Sequence, residues 1–243
     1  MNFSERMRML TRLWKYRLRE ERESIAFMRR QPLAGRTVID VGANKGIYSY
    51  WISRQVGTRG RVIAFEPQPD LRPHLEDLRR TFRLDNLQIV SKGLSNVAGR
   101  VAMRRDKPGA LGASLEPPPP GEGAPRASES IDVEVVTLDD IAATERLENV
   151  AFIKCDVEGH ELAVFKGGQR LIEKQRPILL FECHQHEAER GELFSYLERL
   201  GYDGFFIDGN DRVPYCQFAS RAYRKPTVKH RNYMFAHRHL AAR

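Results

Sequence analysis

Val38-Ile-Asp-Val-Gly-Ala-Asn-Lys-Gly46 decides the fold once it is set beside Val62-Ile-Ala-Phe-Glu66-Pro67, which follows about 20 residues later. A short apolar run carries an acid near its end and enters a glycine-bearing turn. A second apolar run then ends in another acid. This pattern predicts neighbouring strands of an α/β sheet that hold a ribose-containing ligand at their carboxyl ends. Gly42 and Gly46 let the backbone approach a ligand where a side chain would clash. Asn44 tolerates left-handed conformations better than most residues. Glu66 is positioned to accept hydrogen bonds from two ribose hydroxyls.

The loop favours S-adenosylmethionine over a dinucleotide. A dinucleotide needs its diphosphate laid on a helix N-terminus, usually through G-x-G-x-x-G. Here the spacing is G-x-x-x-G with Asp40 just before it. An acid suits an ammonium and a sulfonium better than a diphosphate. The spacing therefore disfavours a nucleotide-dependent oxidoreductase. Asp40, Gly42, Asn44 and Gly46 are assigned to the methionine half of the cofactor, and Glu66 and Pro67 to its ribose. Leu94, just past the third strand, is assigned to the adenine.

Working outward, 243 residues with 41% hydrophobic content suffice for one well-buried α/β domain. No apolar run approaches the roughly 18 residues of a membrane span. Met1-Asn-Phe-Ser-Glu-Arg lacks the apolar core of a signal peptide. Cys155, Cys183 and Cys216 are widely spaced and suggest no disulfide framework. These features predict a cytoplasmic protein. The net charge of +8 is uneven: residues 1–31 carry +5, residues 221–243 carry +7, and the middle carries −4. Basic ends on a mildly acidic centre fit a nucleic-acid cleft poorly.

Phe3, Met7, Leu10, Trp14 and Leu18 recur at helical spacing, which predicts one or two amphipathic helices over 3–30. Residues 1–34 form a basic N-terminal extension and 35–243 the main domain. Two uses of the apolar stripe are open: a membrane-surface or homodimerising helix, or a helix packed on the main domain. Strands at Thr37–Val41, Arg61–Phe65, Leu87–Val90, Val150–Cys155 and Pro177–Cys183 alternate with helices at Ile47–Gln55, Asp70–Phe82, Leu162–Lys174 and Gly191–Leu200. Val97–Arg104 and Ile131–Val136 also have strand character. Phe205–Ile207 and Asn232–Ala236 could close the sheet as an antiparallel pair. Repeated βα units imply a mostly parallel, doubly wound sheet. Asp106–Ser130, with Pro117-Pro-Pro-Pro120 and several glycines, is neither a helix nor a central strand. It is either a lid over the cleft or an insertion, with Gly112-Ala-Ser114-Leu115 its ordered part.

A second constellation is Phe152-Ile-Lys-Cys-Asp156-Val-Glu158-Gly-His-Glu161, followed one strand later by Glu182 and His184. Alternation puts Phe152, Lys154 and Asp156 on one side of their strand. Neighbouring strands lie ~4.8 Å apart, so Asp156, Glu158, Glu182 and His184 converge at one sheet edge. Asp156, Glu182 and His184 are the candidate catalytic residues, and Glu158 and Ser114 the candidate acceptor contacts. One role for the cluster is to take a proton from an attacking hydroxyl. Another is to hold a hard cation such as Mg²⁺ through Asp156 and Glu182. His160 and His186 are expected at the surface.

With both constellations in view, the chain resembles the FkbM family of S-adenosylmethionine-dependent methyltransferases. The matching residues are Val38–Gly46, Phe65-Glu-Pro67, Leu138-Asp139, Ile153-Lys-Cys-Asp-Val-Glu-Gly-His-Glu161 and Phe181-Glu-Cys-His184. The resemblance implies a Rossmann-like class I methyltransferase of the α/β class, with a reversed final strand. It also implies O-methylation of a sugar or secondary metabolite, so that the partner is a small-molecule or glycan acceptor. By the same resemblance Asp40, Gly42, Asn44, Glu66 and Asp156 line the cofactor cleft. Two other functions stay open. A nucleic-acid methyltransferase has only the basic ends in its favour, since no N/D-P-P-Y/F tetrad is evident. A non-catalytic binding protein on the same fold would keep the sheet without the chemistry.

Overall fold

A computed structural model describes residues 3–116, 129–208, 211–217 and 230–241. The chain opens with α1 (Phe3–Lys15), a π-helical turn (Tyr16–Glu20) and α2 (Arg22–Arg29). It continues through β1 (Thr37–Val41), α3 (Ile47–Val56), β2 (Arg61–Phe65), α4 (Arg72–Phe82) and β3 (Leu87–Val90). Three strands follow, β4 (Gly93–Leu94), β5 (Gly99–Arg105) and β6 (Glu129–Val136), then α5 (Leu138–Thr144) and β7 (Val150–Cys155). The second half holds α6 (Glu161–Lys166), α7 (Gln169–Gln175), β8 (Ile178–His184), α8 (Gln185–Arg190) and α9 (Glu192–Arg199). It ends with β9 (Tyr202–Asp208), β10 (Asp211–Pro214) and β11 (His230–His237).

Eight strands form one sheet in the order β10-β9-β11-β8-β7-β1-β2-β3. The central strands β3, β2, β1, β7 and β8 pair in parallel, whereas β11 runs antiparallel to both β8 and β9. The reversed final strand is therefore β11, inserted between β8 and β9. β1 and β2 are buried on both faces after their first residue, as expected for parallel strands covered by helices on each side. On one face Val38, Val62 and Ala64 pack with Ile52, Leu75 and Met28; on the other Ile39, Ile63 and Phe65 pack with Phe165 and Leu197.

Three features differ from the sequence-based expectations. First, a two-residue strand that the apolar runs do not announce, β4, joins β5 and β6 in a separate small sheet ordered β4-β6-β5. Second, the helix expected over Leu162–Lys174 breaks into α6 and α7 at Gly167-Gly168. The cause is a close backbone approach: a Cβ at Gly167 would lie 2.0 Å from the Ser95 carbonyl oxygen. Third, the apolar stripe of the N-terminal helix does not face the domain. Met9, Leu13, Ile25 and Met28 are the buried residues, while Met7, Trp14 and Leu18 are 46%, 45% and 59% exposed. The Arg17 guanidinium stacks 4.7 Å from the Trp14 ring and 4.4 Å from Trp51, and the two indoles meet edge to face. That stack keeps Trp14 at the border of the packed surface instead of inside it. The extension shares its core with β1, β2 and α3, so it packs on the domain through a face rotated from the expected one.

Among the described residues no helix is long and apolar enough to cross a membrane. Cys155 and Cys183 are buried free thiols and Cys216 is an exposed one. Pro117-Pro-Pro-Pro120 and the glycines after it lie outside the described residues, and Glu129 and Ser130 already belong to β6.

Candidate active site

The cleft begins where β1 ends. Gly42 turns the chain at φ 74°, and its N–H and that of Ala43 both donate to the Phe65 carbonyl at 3.0 Å. A side chain is excluded there, because a Cβ would lie 1.9 Å from the Asp156 carbonyl oxygen. Asn44 takes the left-handed conformation, φ 46°, and its N–H donates to Glu66 Oε2 at 2.7 Å. The Gln68 N–H donates to the other oxygen, Oε1, at 3.0 Å. Glu66 is thus fixed by its neighbours' backbone at the tip of β2. Its burial pushes the carboxyl pKa up, while the two backbone donors and Lys154 pull the other way.

The cleft lining brings together Gly42, Asn44, Glu66, Pro67, Leu94, Asp156 and Glu158 from the residues singled out in the sequence. Gln68, Met103, Leu111, Leu115 and Val157 line it as well, and sequence reasoning missed them. Gln68 is the informative addition. Its amide nitrogen donates to the Ala110 carbonyl at 3.2 Å, but its Oε1 is buried with no partner. A buried acceptor without a donor is costly, and a ligand carrying N–H or O–H groups would relieve it. An acidic acceptor in Glu66, an orphaned amide oxygen in Gln68 and apolar walls fit an adenosyl group.

Residues 104–116 cover this cleft. Arg104 and Ser114 exchange backbone hydrogen bonds at 2.9 Å, closing a hairpin whose Ala110 carbonyl accepts from Asn44 Nδ2 (3.5 Å) and Gln68 Nε2. Buried Arg105 anchors its base through ion pairs with Asp70 and Glu129. With the hairpin down the cavity is about 80 Å³. Small-molecule pockets start near ~300 Å³, so the cleft is narrow with the hairpin in this position. Ser114 lies in it, but its hydroxyl donates to the Glu158 carbonyl at 2.7 Å and accepts from the Glu116 N–H. It pins the hairpin and is not part of the lining.

Asp40 and Gly46 also stand apart from the cleft. Strand alternation turns Asp40 with Val38 toward α3. There it is fully buried, accepts a 2.5 Å hydrogen bond from Ser49 and lies 4.0 Å from Lys154. Gly46 abuts Leu75 and Leu78 of α4. Both residues shape the turn from behind.

The second constellation gathers at the end of β7. Lys154 and Asp156 share a face and pair at 3.1 Å. Burial alone would push the Lys154 pKa down, but Asp156 and Asp40 outweigh it and the net shift is upward. Lys154 is therefore a fixed positive charge, which also reaches the Gly42 carbonyl at 3.4 Å and sits 5.0 Å from the Tyr48 ring centroid. Asp156, Glu158 and Glu182 each bring a carboxylate oxygen within 4.8 Å of the others. His184 Nε2 lies 3.3 Å from Glu158 Oε2, and that contact raises the imidazole pKa against the opposing effect of burial. The carboxylates could share a cation, yet Lys154 already supplies positive charge to Asp156, and His184 contacts Glu158. His160 is not a surface residue: it bridges Glu116 (2.6 Å) and Ser95 (2.9 Å), tying the hairpin to the small sheet. The side chain of His186 lies outside the described residues.

The methyltransferase FkbM domain family matches residues 40–203. The chain is 27% identical over 177 residues to the hexuronic acid methyltransferase AglP of Haloferax volcanii, covering 71% of this chain and 66% of AglP, just under two thirds of its length. Its fold resembles that of the methyltransferase FkbM of Methylobacillus flagellatus, with a TM-score of 0.56 and 18% identity over 85% of this chain and 45% of that one. A Streptococcus mutans protein solved in complex with SAH shares the fold at a TM-score of 0.53 and 10% identity, over 90% of this chain and 97% of the other.

Proposed function

The chain belongs to the FkbM methyltransferase family, and from that premise we propose that it transfers a methyl group from S-adenosylmethionine to a hydroxyl of a sugar or secondary metabolite. The observation that carries this reading is the pairing of Glu66, fixed at one wall of the cleft, with Asp156 and Glu158 at the other, where Glu182 brings a third carboxylate within 4.8 Å of both. The hexuronic acid methyltransferase relative supports a sugar-type acceptor.

When bound, the cofactor supplies an activated methyl group, which leaves sulfur as the acceptor oxygen bonds to it. Glu66 accepts from the ribose hydroxyls and Gln68 Oε1 from a ligand N–H or O–H. Leu94, Leu115 and Val157 supply apolar contact. Asp156 pairs with the Lys154 ammonium at 3.1 Å and keeps carboxylate lone pairs that can accept a hydrogen bond. It orients the acceptor hydroxyl, with Glu182 beside it. His184, steadied by Glu158, accepts a proton once its imidazole is neutral, and the Glu158 contact moves that point to higher pH. Alignment of donor and acceptor then accounts for most of the rate enhancement.

Calorimetric titration with S-adenosylmethionine tests the cofactor half. Wild type should bind, and Glu66→Ala should weaken binding about a hundredfold, as expected for two lost charge-assisted hydrogen bonds. Equal affinity in the two proteins would refute the placement of the ribose. Salt-sensitive RNA binding with methylation of the RNA would instead favour a nucleic-acid acceptor.

A further inference from the structure

Glu21 sits where the π-helical turn meets α2, and its backbone, φ −116° and ψ 33°, has left helical geometry. Single π turns inside helices are frequent at functional sites. The side chain meets two elements far away in sequence. The Tyr48 hydroxyl on α3 donates to Glu21 Oε2 at 2.8 Å, and the Asn232 amide on β11 donates to the same oxygen at 2.9 Å. Both donors converge on Oε2, and among the described residues no hydrogen bond to Oε1 is found. No lysine or arginine among the described residues lies within ion-pair distance of this half-buried carboxylate. Burial raises its pKa and the Asp156 charge adds to that, against the opposing pull of the Tyr48 and Asn232 hydrogen bonds and the more distant Lys154 charge.

Its two donors connect Glu21 to both halves of the reaction centre. The Tyr48 ring packs against Lys154, which holds Asp156. Asn232 is the register partner of Glu182 across β8 and β11. Keeping an acid half-buried with no adjacent cation costs stability. Capping explains nothing here, because Glu21 makes no side-chain bond to the start of α2. Carboxylates are acceptors only and the hydroxyls of a polyol are donors, so an acid with one unfilled oxygen is matched to such a ligand.

We propose that the N-terminal helical segment forms one wall of the acceptor site, and that Glu21 accepts a hydrogen bond through Oε1 from a second hydroxyl of a saccharide or other polyol. Asp156 holds the hydroxyl that is methylated. This rests on the O-methyl transfer reading above and deepens it. The extension, which carries none of the motifs that define the cofactor cleft, then sets which hydroxyl of the acceptor is presented.

The test uses the full chain, radiolabelled S-adenosylmethionine, and methyl α-D-glucopyranoside and methyl α-D-glucuronoside as acceptors. Cofactor affinity, acceptor KM and kcat are measured for wild type, Glu21→Gln and Tyr48→Phe. Glu21→Gln keeps an oxygen for Tyr48 and Asn232, so the fold and the cofactor affinity should hold while acceptor KM rises about tenfold or more. Tyr48→Phe should raise KM several-fold by loosening Glu21. Label transfer with unchanged KM in both variants would overturn the assignment of Glu21 and leave O-methylation standing. Equal loss of cofactor and acceptor binding would show a structural role and also overturn it. Cofactor binding by wild type without transfer to either glycoside would sink the saccharide acceptor, and Glu21's role with it.

Discussion

Glu66 and Asp156 stand at the tips of β2 and β7, one strand to either side of β1, and they are held in opposite ways. Glu66 is buried and both its oxygens accept backbone N–H groups from residues next to it in the turn. Asp156 is half-buried, and it pairs with the ammonium of a side chain, Lys154. Around it gather Glu158, Glu182, His184 and, through Tyr48 and Lys154, Glu21. On the proposed reading the cofactor wall is built from backbone and local sequence, which leaves little room for change. The proposed acceptor wall is built from side chains drawn from both ends of the chain, which can be retuned one residue at a time. A family that keeps its methyl donor and varies its acceptor would need that division.

Substitutions on the two walls should therefore fail differently, most severely at Gly42. Gly42→Ala must move a carbonyl 1.9 Å from the new Cβ and hold alanine at φ 74°. About 3 kcal/mol or more of stability should be lost, roughly 6–12 °C in Tm, with cofactor binding abolished. Thermal melting and calorimetry read both. A Gly42→Ala protein with wild-type melting and affinity would show that the turn is not the rigid half of the site.

Asp156→Asn should separate the walls. It keeps the shape and removes the charge paired with Lys154, so turnover should fall about a hundredfold while cofactor affinity changes little. If affinity collapses as well, the acceptor wall is not independent of the cofactor wall. A smaller and more specific effect is expected at Glu158. Its contact raises the His184 pKa, so activity should climb with pH as His184 loses its proton. Glu158→Gln removes that influence, and the rising limb should move to lower pH. Stability follows the same linkage. A raised imidazole pKa stabilises the fold below the ordinary value, and the contribution is lost as pH rises through the folded-state value. The urea midpoint of wild type should fall over that window, and that of Glu158→Gln should be flatter. A pH–rate profile unchanged by Glu158→Gln would remove His184 from the chemistry.

The same division explains what could be read from the sequence. β1 and β2 have the boundaries expected from their apolar runs, because a strand buried on both faces leaves a continuous local signal, and the half-buried edge strand β3 keeps its expected bounds as well. Gly42, Asn44 and Glu66 fall together because their spacing is itself the turn. Asp40 was misplaced by one step of strand alternation: its acid signals a motif, but parity sends it toward α3 and Ser49. Gln68 was legible in principle, two residues past Glu66, although nothing in its type marks an unpaired oxygen. Glu21, Tyr48 and Asn232 were not legible. Their contact spans 211 residues between Glu21 and Asn232, and no local pattern encodes it. The N-terminal stripe misled for a related reason. Helical spacing identifies an apolar face, but the Arg17–Trp14–Trp51 stack decides how the helix is rotated.

Ser114 is where the two walls touch, and its substitution should have the smallest effect. Its hydroxyl joins the hairpin over the cofactor cleft to the carbonyl of Glu158 on the acceptor side. Ser114→Ala removes that bond and the acceptor for the Glu116 N–H, leaving the shape intact. One such bond contributes about 1 kcal/mol, a factor of about five. If the hairpin must lift for the cofactor to pass, that factor should appear in the dissociation rate of S-adenosylhomocysteine, measured by stopped flow, with Tm almost unchanged. The hairpin is also held by Arg105 and by the Glu116–His160 contact, so Ser114→Ala should loosen it without opening it permanently. A dissociation rate equal to wild type would mean that release does not pass the hairpin. The walls would then be coupled through the Asp156 carbonyl packed against Gly42 and through Lys154, which reaches both, and the dissociation rate would respond to changes there instead.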